Sequence, residues 1–281
     1  MFKIDIKIIT DSSCDLPQDL VDKYDIGVVS LHVTFDNNET FTERVTIEPE
    51  QFWKRMAESK ELPKTSRPTP EAFAGAFSAA LTNYGSVIYL GLSSALSGTF
   101  ESAQLAAKSV PGDIHLIDSL TGSLGLGILA VKAHDFIHSG FSAQTVVNKI
   151  IDYRDGMNTL FTMDSLENLI KGGRVGRLPG FIGTMLSIRP IGKAGDVGQI
   201  DVLEKVRGRA KSLQRIVQLV GEMGNKLQEK IVGISHVNCL QEALNIKKEI
   251  EEKYRPQSII ISKVGSTMGT YAGNGGLIVS F

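Results

Sequence analysis

The stretch Val87-Ile-Tyr-Leu90, Gly91-Leu-Ser-Ser-Ala-Leu-Ser-Gly98, Thr99–Val110 decides the fold. Four consecutive apolar residues read as a buried strand, the small polar run as a loop, and the segment after it as a helix. Working outward, Ile114–Asp118 is another strand, followed by an apolar helix to about Ser139 and a second helix from Ser142. Upstream, Phe2, Ile4, Ile6 and Ile8 alternate with Lys3, Asp5 and Lys7, the period of a strand. Asp11-Ser-Ser-Cys-Asp-Leu-Pro17 is a turn-and-cap cluster leading into a short helix to Tyr24. Strands alternating with helices predict a mainly parallel sheet covered on both faces, an α/β fold.

Between these parts lies an insert near 26–62: a strand around Ile26–Val33, a turn at Asn37-Asn38, an alternating strand over Thr40–Ile47 and a helix over Glu48–Ser59. The prolines of Pro63-Lys-Thr-Ser-Arg-Pro-Thr-Pro70 forbid helix there, and Pro70 suits the first turn of a helix running to Tyr84. Around Asn158 the character changes. A short strand at Leu160–Met163 precedes a helix to Ile170 capped by Asp164, then the basic glycine loop Lys171-Gly-Gly-Arg-Val-Gly-Arg177. Strands follow near Ser187–Ile191 and Ile200–Val206, and Leu213, Ile216, Val217, Val220 and Met223 form a helical stripe. Ile231–Ser235 and Ile259–Val264 are strands separated by a helix over Leu240–Lys253, and the glycine-rich tail Gly265–Gly276 ends in the strand Leu277–Phe281. Two domains are expected, an N-terminal α/β unit over 1–157 carrying the insert and a mixed α/β unit over 158–281.

Composition bounds the function. The 281 residues carry 30 Lys+Arg against 31 Asp+Glu, which excludes the broad basic surface that neutralises a run of phosphates, so no nucleic-acid partner is expected. Two cysteines, Cys14 and Cys239, lie far apart in unlike contexts; this excludes a disulfide framework and fits a reducing, cytoplasmic compartment. The longest apolar stretch, Leu124 to Val131, falls short of the roughly 20 residues a bilayer needs. Glycine is in excess, 28 residues, which implies many tight backbone turns.

In a parallel sheet, ligands sit at the carboxyl ends of strands beside helix N-termini. The loop Ser93-Ser94-Ala-Leu-Ser97-Gly-Thr99 occupies such a place and offers hydroxyls and backbone N–H groups to an anionic oxygen. Ordinary N-capping by Ser97 or Thr99 would use only one of them. Gly91-Leu-Ser93-Ser94-Ala95 also approximates a nucleophile elbow, with Asp164 and His236 following in hydrolase order, so a serine hydrolase using Ser93 or Ser94 is the alternative. Gly125-Leu-Gly127-Ile-Leu-Ala130 matches a dinucleotide fingerprint by letter, but its place in an apolar helix favours helix–sheet packing. His134 and His138 have the spacing of metal ligands without the Glu or third ligand of a zinc site, so no metal is expected. Thr65-Ser66, Ser93-Ser94 and Thr270-Tyr271 are neutral hydroxyl groups in loops beside apolar helices, with no poised acid–base partner. That combination suits a carboxylate on a hydrophobic tail and points to binding rather than catalysis.

Seven segments, in order, resemble the DegV family across nearly the whole chain: Ile9-Thr-Asp-Ser-Ser13, Lys64-Thr-Ser-Arg-Pro-Thr-Pro70, Ser93-Ser-Ala-Leu-Ser-Gly-Thr99, Ile117-Asp-Ser119, Leu166-Glu-Asn-Leu-Ile-Lys-Gly-Gly-Arg174, Lys205-Val-Arg-Gly208 and Gly269-Thr-Tyr-Ala-Gly-Asn-Gly275. The resemblance implies a two-domain α/β, EDD-like fold holding a long-chain fatty acid in a buried tunnel between or beside the domains, with no other cofactor. It further implies a separate ATP-using fatty acid kinase subunit as partner, an acyl phosphate that feeds phospholipid synthesis, and a fold compatible with peripheral contact with a membrane surface. By position, Thr65 and Ser94 would hydrogen-bond the carboxylate, with Ser93, Ser66, Tyr271 and Thr270 around it, while Arg174 and Arg207 would face the partner. The chain departs from the family pattern at Tyr271, where His is usual, at Asn274 for Pro, at Arg67 for Gln and at Arg189 for Lys. A tyrosine at 271 can donate a hydrogen bond but cannot take up an extra proton and become a cation as the usual His can. Burying roughly 16–18 carbons at about 0.8 kcal/mol per CH₂ can supply most of the affinity, leaving neutral hydroxyls to satisfy the head group.

Overall fold

The structure, a computed structural model, describes residues 5–36, 38–175 and 188–281. From the N-terminus the chain runs β1 (Ile6–Asp11), α1 (Gln18–Lys23), β2 (Gly27–Val29), β3 (His32–Thr34), β4 (Thr40–Thr42), α2 (Pro49–Glu58), β5 (Lys64–Ser66) and α3 (Pro70–Leu81). It continues through β6 (Ser86–Gly91), α4 (Thr99–Ser109), β7 (Asp113–Asp118), α5 (Leu124–His138) and α6 (Ala143–Asp155). The remainder is β8 (Thr159–Thr162), α7 (Glu167–Lys171), β9 (Ile188–Ala194), β10 (Ile200–Arg207), α8 (Arg209–Met223), β11 (Ile231–His236), α9 (Leu240–Tyr254), β12 (Ser258–Lys263), α10 (Ser266–Ala272) and β13 (Leu277–Ser280).

The expected parallel sheet is present, in the order β2-β1-β6-β7. Its side chains alternate between two cores, as the pleat requires. Ile8, Ile88, Leu90 and Ile117 join Leu126, Leu129, Val146 and Ile150 of α5 and α6 on one face. Ile9, Val87 and Tyr89 join Phe73, Phe77, Phe100 and Ala103 of α3 and α4 on the other. The second sheet has six strands in the order β10-β9-β8-β13-β11-β12, antiparallel except between β11 and β12. Leu160, Val232, Ile234 and Val279 cover one of its faces against Ile216, Val220, Ala243 and Ile250 of α8 and α9. The insert contributes a small antiparallel sheet, β4-β3-β5.

Helix α5 lies between the two large sheets. Ile231 shares its cluster, and a Cβ built at Gly233 would fall 2.7 Å from Leu124 Cβ. Gly127, read as a packing residue, does pack: a Cβ there would meet Leu16 at 2.8 Å and the Cys14 carbonyl at 2.9 Å. Much of the glycine excess therefore serves close approach between elements, not the tight turns that composition implied. Pro70 opens α3 behind a Thr69 cap that accepts from Ala72 N, and Ser142 caps α6.

Four expectations are corrected. The strand over Ile26–Val33 is two strands, because the chain leaves the parallel sheet after Val29 and starts a new sheet at His32. Pairing over Thr40–Ile47 stops as a strand at Thr42, where a tight turn puts Arg44 at φ 64°. The tail Gly265–Gly276 contains α10; Gly269 sits inside it because the Trp53 ring lies where a Cβ would be, 2.5 Å away. Asp164 does not cap a helix, since α7 starts at Glu167 and Asp164 Oδ1 pairs with Arg189 Nε at 2.9 Å. The readings that involve Met1–Ile4, Asn37, the end of the basic loop at Gly176-Arg177, and Ser187 lie outside the described residues.

Candidate ligand-binding site

Two buried carboxylates shape the ground on which the site stands. Asp11, at the end of β1, accepts hydrogen bonds from Ser13 N and Oγ, from Tyr89 Oη at 3.0 Å and from Leu92 N at 2.8 Å. It thereby fixes the entry of the 91–98 loop; burial raises its pKa against these donors. Asp15 accepts from Gly265 N at 2.8 Å and from Ser123 Oγ at 2.5 Å, and burial, aided by the nearby Glu43 charge, raises its pKa to about 7.

The 91–98 loop folds on itself. Ser93 N donates to Thr121 O, Ser94 N to Asp118, Leu96 N and Ser97 N to Ser93 O, and Ala95 N to Ser93 Oγ. The backbone N–H groups expected to receive an anion are thus engaged within the fold. Ser93 Oγ, fully buried, donates to Gly198 O at 2.8 Å, which docks the β9–β10 hairpin tip on this loop. Ser97 and Thr99 hydroxyls bond each other at 2.9 Å, and Gly98, not either of them, is the N-cap of α4.

Beside this loop is a cavity of about 500 Å³. Leu92, Leu96, Ser97 and Gly98 form one wall, and Leu31 of the insert with Thr65, Ser66 and Arg67 just after it a second. Phe161, Met163, Leu169, Ile200 and Ile278 of the C-terminal half, with Thr267, Met268, Tyr271 and Ala272 of α10, complete it. Apolar side chains dominate, and the volume lies within the ~300–1,000 Å³ range of pockets that enclose small organic ligands. Among the polar groups on the lining, two that lie 206 residues apart in sequence bond each other: Thr65 Oγ1 and Tyr271 Oη, 2.6 Å apart. The Tyr271 ring lies against Gly172, and the Arg174 guanidinium stands 4.8 Å from its centroid, a cation–π contact. Arg67, the other cation on the lining, is held by Glu101 and the Gly98 carbonyl.

Of the residues picked from sequence, the structure brings Thr65, Ser66, Tyr271 and Arg174 to the cavity wall. It does not bring Ser93, Ser94, Thr270 or Arg207. Ser94 and Arg207 are exposed, Ser93 is spent on Gly198, and the buried Thr270 hydroxyl donates to Ser266 O at 2.8 Å. The hydrolase triad does not assemble, because Ser93 serves Gly198 and Asp164 serves Arg189, while His236 is buried on β11 with Nδ1 unpartnered. His134 and His138 stack with ring centroids 3.8 Å apart, and among the described residues no cluster could hold a metal ion. Both cysteines are free, and burial pushes the Cys14 thiol up to about 12. Among the described residues no helix is long and apolar enough to cross a membrane. Sequence reasoning missed Met268, Trp53, Glu43 and Asp15 as determinants of the site, although each lies in a segment it had assigned to a turn, strand, helix or glycine-rich tail.

The fold is mixed α/β, and its largely apolar cavity carries a few hydroxyls and two arginines on the wall. Residues 5–281 match the model of the family described as uncharacterised protein, DegV family, and the chain belongs to that family. A DegV domain-containing protein of Listeria monocytogenes is 35% identical over 271 residues, covering 96% of each chain. Among solved structures, a DegV family protein from Ruminococcus gnavus, refined with vaccenic acid, superposes with a TM-score of 0.93 at 25% identity and covers 99% of this chain and 100% of its own. The Fatty Acid Kinase (Fak) B3 protein of Streptococcus pneumoniae, loaded with linoleic acid, does so with a TM-score of 0.85 at 27% identity, covering 98% of both chains.

Proposed function

We propose that the chain is a fatty-acid-binding carrier rather than an enzyme. It encloses a long-chain fatty acid in the 500 Å³ cavity, with the carboxylate at Thr65 and Tyr271. The observation that carries this reading is the hydrogen-bonded Thr65–Tyr271 pair on the wall of a largely apolar cavity, in a fold whose solved relatives include proteins loaded with vaccenic and linoleic acid. A hydrocarbon tail gains by leaving water, and two hydroxyls satisfy a carboxylate whose burial unpaired would be costly. The units 1–157 and 158–281 close on the ligand from either side, and Ser66 supports the head group from β5. Ser93 and Ser94 act through the loop whose shape they fix.

The likeness to the Fatty Acid Kinase (Fak) B3 protein of Streptococcus pneumoniae supports a second element: a separate, ATP-using fatty acid kinase phosphorylates the bound carboxylate in the cytoplasm, and the acyl phosphate feeds phospholipid synthesis. Arg174, at the cavity wall beside Tyr271, and the exposed Arg207 are the cations offered to that partner. Calorimetric titration with palmitate or oleate tests the binding step. Saturable binding that Thr65→Val and Tyr271→Phe weaken supports it, and no heat with either acid would refute it. Acyl phosphate formed only when a fatty acid kinase, ATP and this protein are combined tests the second step.

A further inference from the structure

The small sheet of the insert touches both members of the head-group pair, one directly and one through a buried carboxylate. Thr65 lies on β5 and is paired in register with Val33 of β3. Glu43 follows β4, and its N–H donates to Leu31 O at 3.0 Å, so its backbone is tied to the same sheet. Its side chain, 3% exposed, reaches the start of α10. Glu43 Oε1 accepts from Ser266 Oγ and Thr267 N, each at 2.8 Å, and Oε2 accepts from Thr267 Oγ1 at 2.8 Å. Oε2 also accepts from Ser12 Oγ at 2.6 Å, and Ser12 Oγ in turn accepts from Leu31 N at 3.0 Å. The fit is close, since a Cβ at Gly265 would fall 2.5 Å from Glu43 Oε1. Tyr271 is one turn further along α10.

We propose that Glu43 is a positioning residue for the acyl head group: it fixes the start of α10 relative to the β4-β3-β5 sheet and so holds Tyr271 at hydrogen-bonding distance from Thr65. Four donors converge on one carboxylate here, and a helix of only seven residues has little internal hydrogen bonding with which to hold its own position. Glu43 lies outside the cavity lining and acts through α10. This inference rests on the fatty-acid reading of the cavity.

The test compares two ligands of equal chain length, palmitate and hexadecanol, by calorimetry on the full chain. Glu43→Gln keeps the volume but offers one acceptor oxygen in place of two, and the Thr267 N–H cannot reverse its direction to suit the amide. Palmitate should then bind about tenfold more weakly while hexadecanol changes less than twofold. Glu43→Gln combined with Tyr271→Phe should bind palmitate no more weakly than Tyr271→Phe alone, because the two changes remove the same contact. Ser266→Ala, which removes one of the four donors, provides a milder variant with the same direction of effect should Glu43→Gln fail to fold. Equal weakening of palmitate and hexadecanol, or additive losses in the double variant, would show that Glu43 serves the fold only and would overturn the proposal. Wild-type protein that binds neither ligand would overturn the fatty-acid reading itself, and the role of Glu43 with it.

Discussion

Gly172→Ala isolates the contribution of the head-group pair. Gly172 closes α7 with φ −76° and ψ −12°, a conformation alanine adopts freely, so the backbone resists nothing. The obstacle is the ligand-site tyrosine: the new Cβ would fall 2.3 Å from Tyr271 Cε1 and 2.6 Å from Cδ1. Ordinary contact begins near 3.4 Å, so the ring has to retreat by about 1.1 Å. Directed away from Thr65, a retreat of that size lengthens the 2.6 Å Tyr271 Oη–Thr65 Oγ1 bond to about 3.7 Å, and it disturbs the stacked Arg174. Overpacking of this kind costs about 1–3 kcal/mol of stability. Loss of one hydrogen bond to the charged carboxylate costs about 1.5–3 kcal/mol, or roughly 12- to 160-fold in palmitate affinity. Urea unfolding measures the first and calorimetric titration with palmitate the second. A variant that binds palmitate as tightly as the wild type, with Tyr271 shown to be displaced, would refute the assignment of the carboxylate to this pair.

Three further outcomes follow from single contacts. Asp15→Asn should flatten the pH dependence of stability: the folded pKa near 7 lies above the unfolded 3.8, so the fold favours the protonated acid, a preference fully present below pH 4 and lost as pH rises through 7. Asn can accept from Gly265 N and donate to Ser123, so relative to wild type the variant should gain roughly 2–3 kcal/mol between pH 5 and 8 in urea unfolding, and an unchanged difference would count against the assignment. Gly198→Ala, at φ 80° and with its Cβ 2.2 Å from Ser93 Oγ, should destabilise by about 1–3 kcal/mol and speed hydrogen exchange in the β9–β10 hairpin; exchange at the wild-type rate would show that the hairpin tip is not docked there. Gly192→Ala places a Cβ 2.1 Å from Phe161 Cζ and should drive that ring into the cavity, weakening stearate binding more than myristate binding; equal losses would place the acyl tail elsewhere.

What could be read from the sequence followed from local rules. The run Val87–Leu90, the prolines around Lys64–Thr69 and the alternation of strand and helix depend on a few neighbouring residues, and the parallel sheet with its helices came out as expected. Thr65, Ser66, Tyr271 and Arg174 are legible as hydroxyls and a cation in loops that match family segments, and the fold brings these four to one cavity. In the loop at Ser93 the N–H groups find acceptors at Asp118, Thr121 and Ser93 itself, pairings that only the folded chain creates. Helix α10 was hidden by glycine. Gly269 lowers helix propensity, but the tertiary contact with Trp53 requires the missing Cβ and overrides that preference. Glu43 carried no signal at all: a lone acid in a hairpin reads as solvated, and its buried donors come from residues 12, 266 and 267.

Mass spectrometry of an organic extract of the purified protein tests the central claim most directly. The account predicts a long-chain fatty acid near one equivalent per chain, reduced in Tyr271→Phe and Thr65→Val. Repeated extracts free of lipid, from protein that also fails to take up added palmitate or oleate, would contradict it.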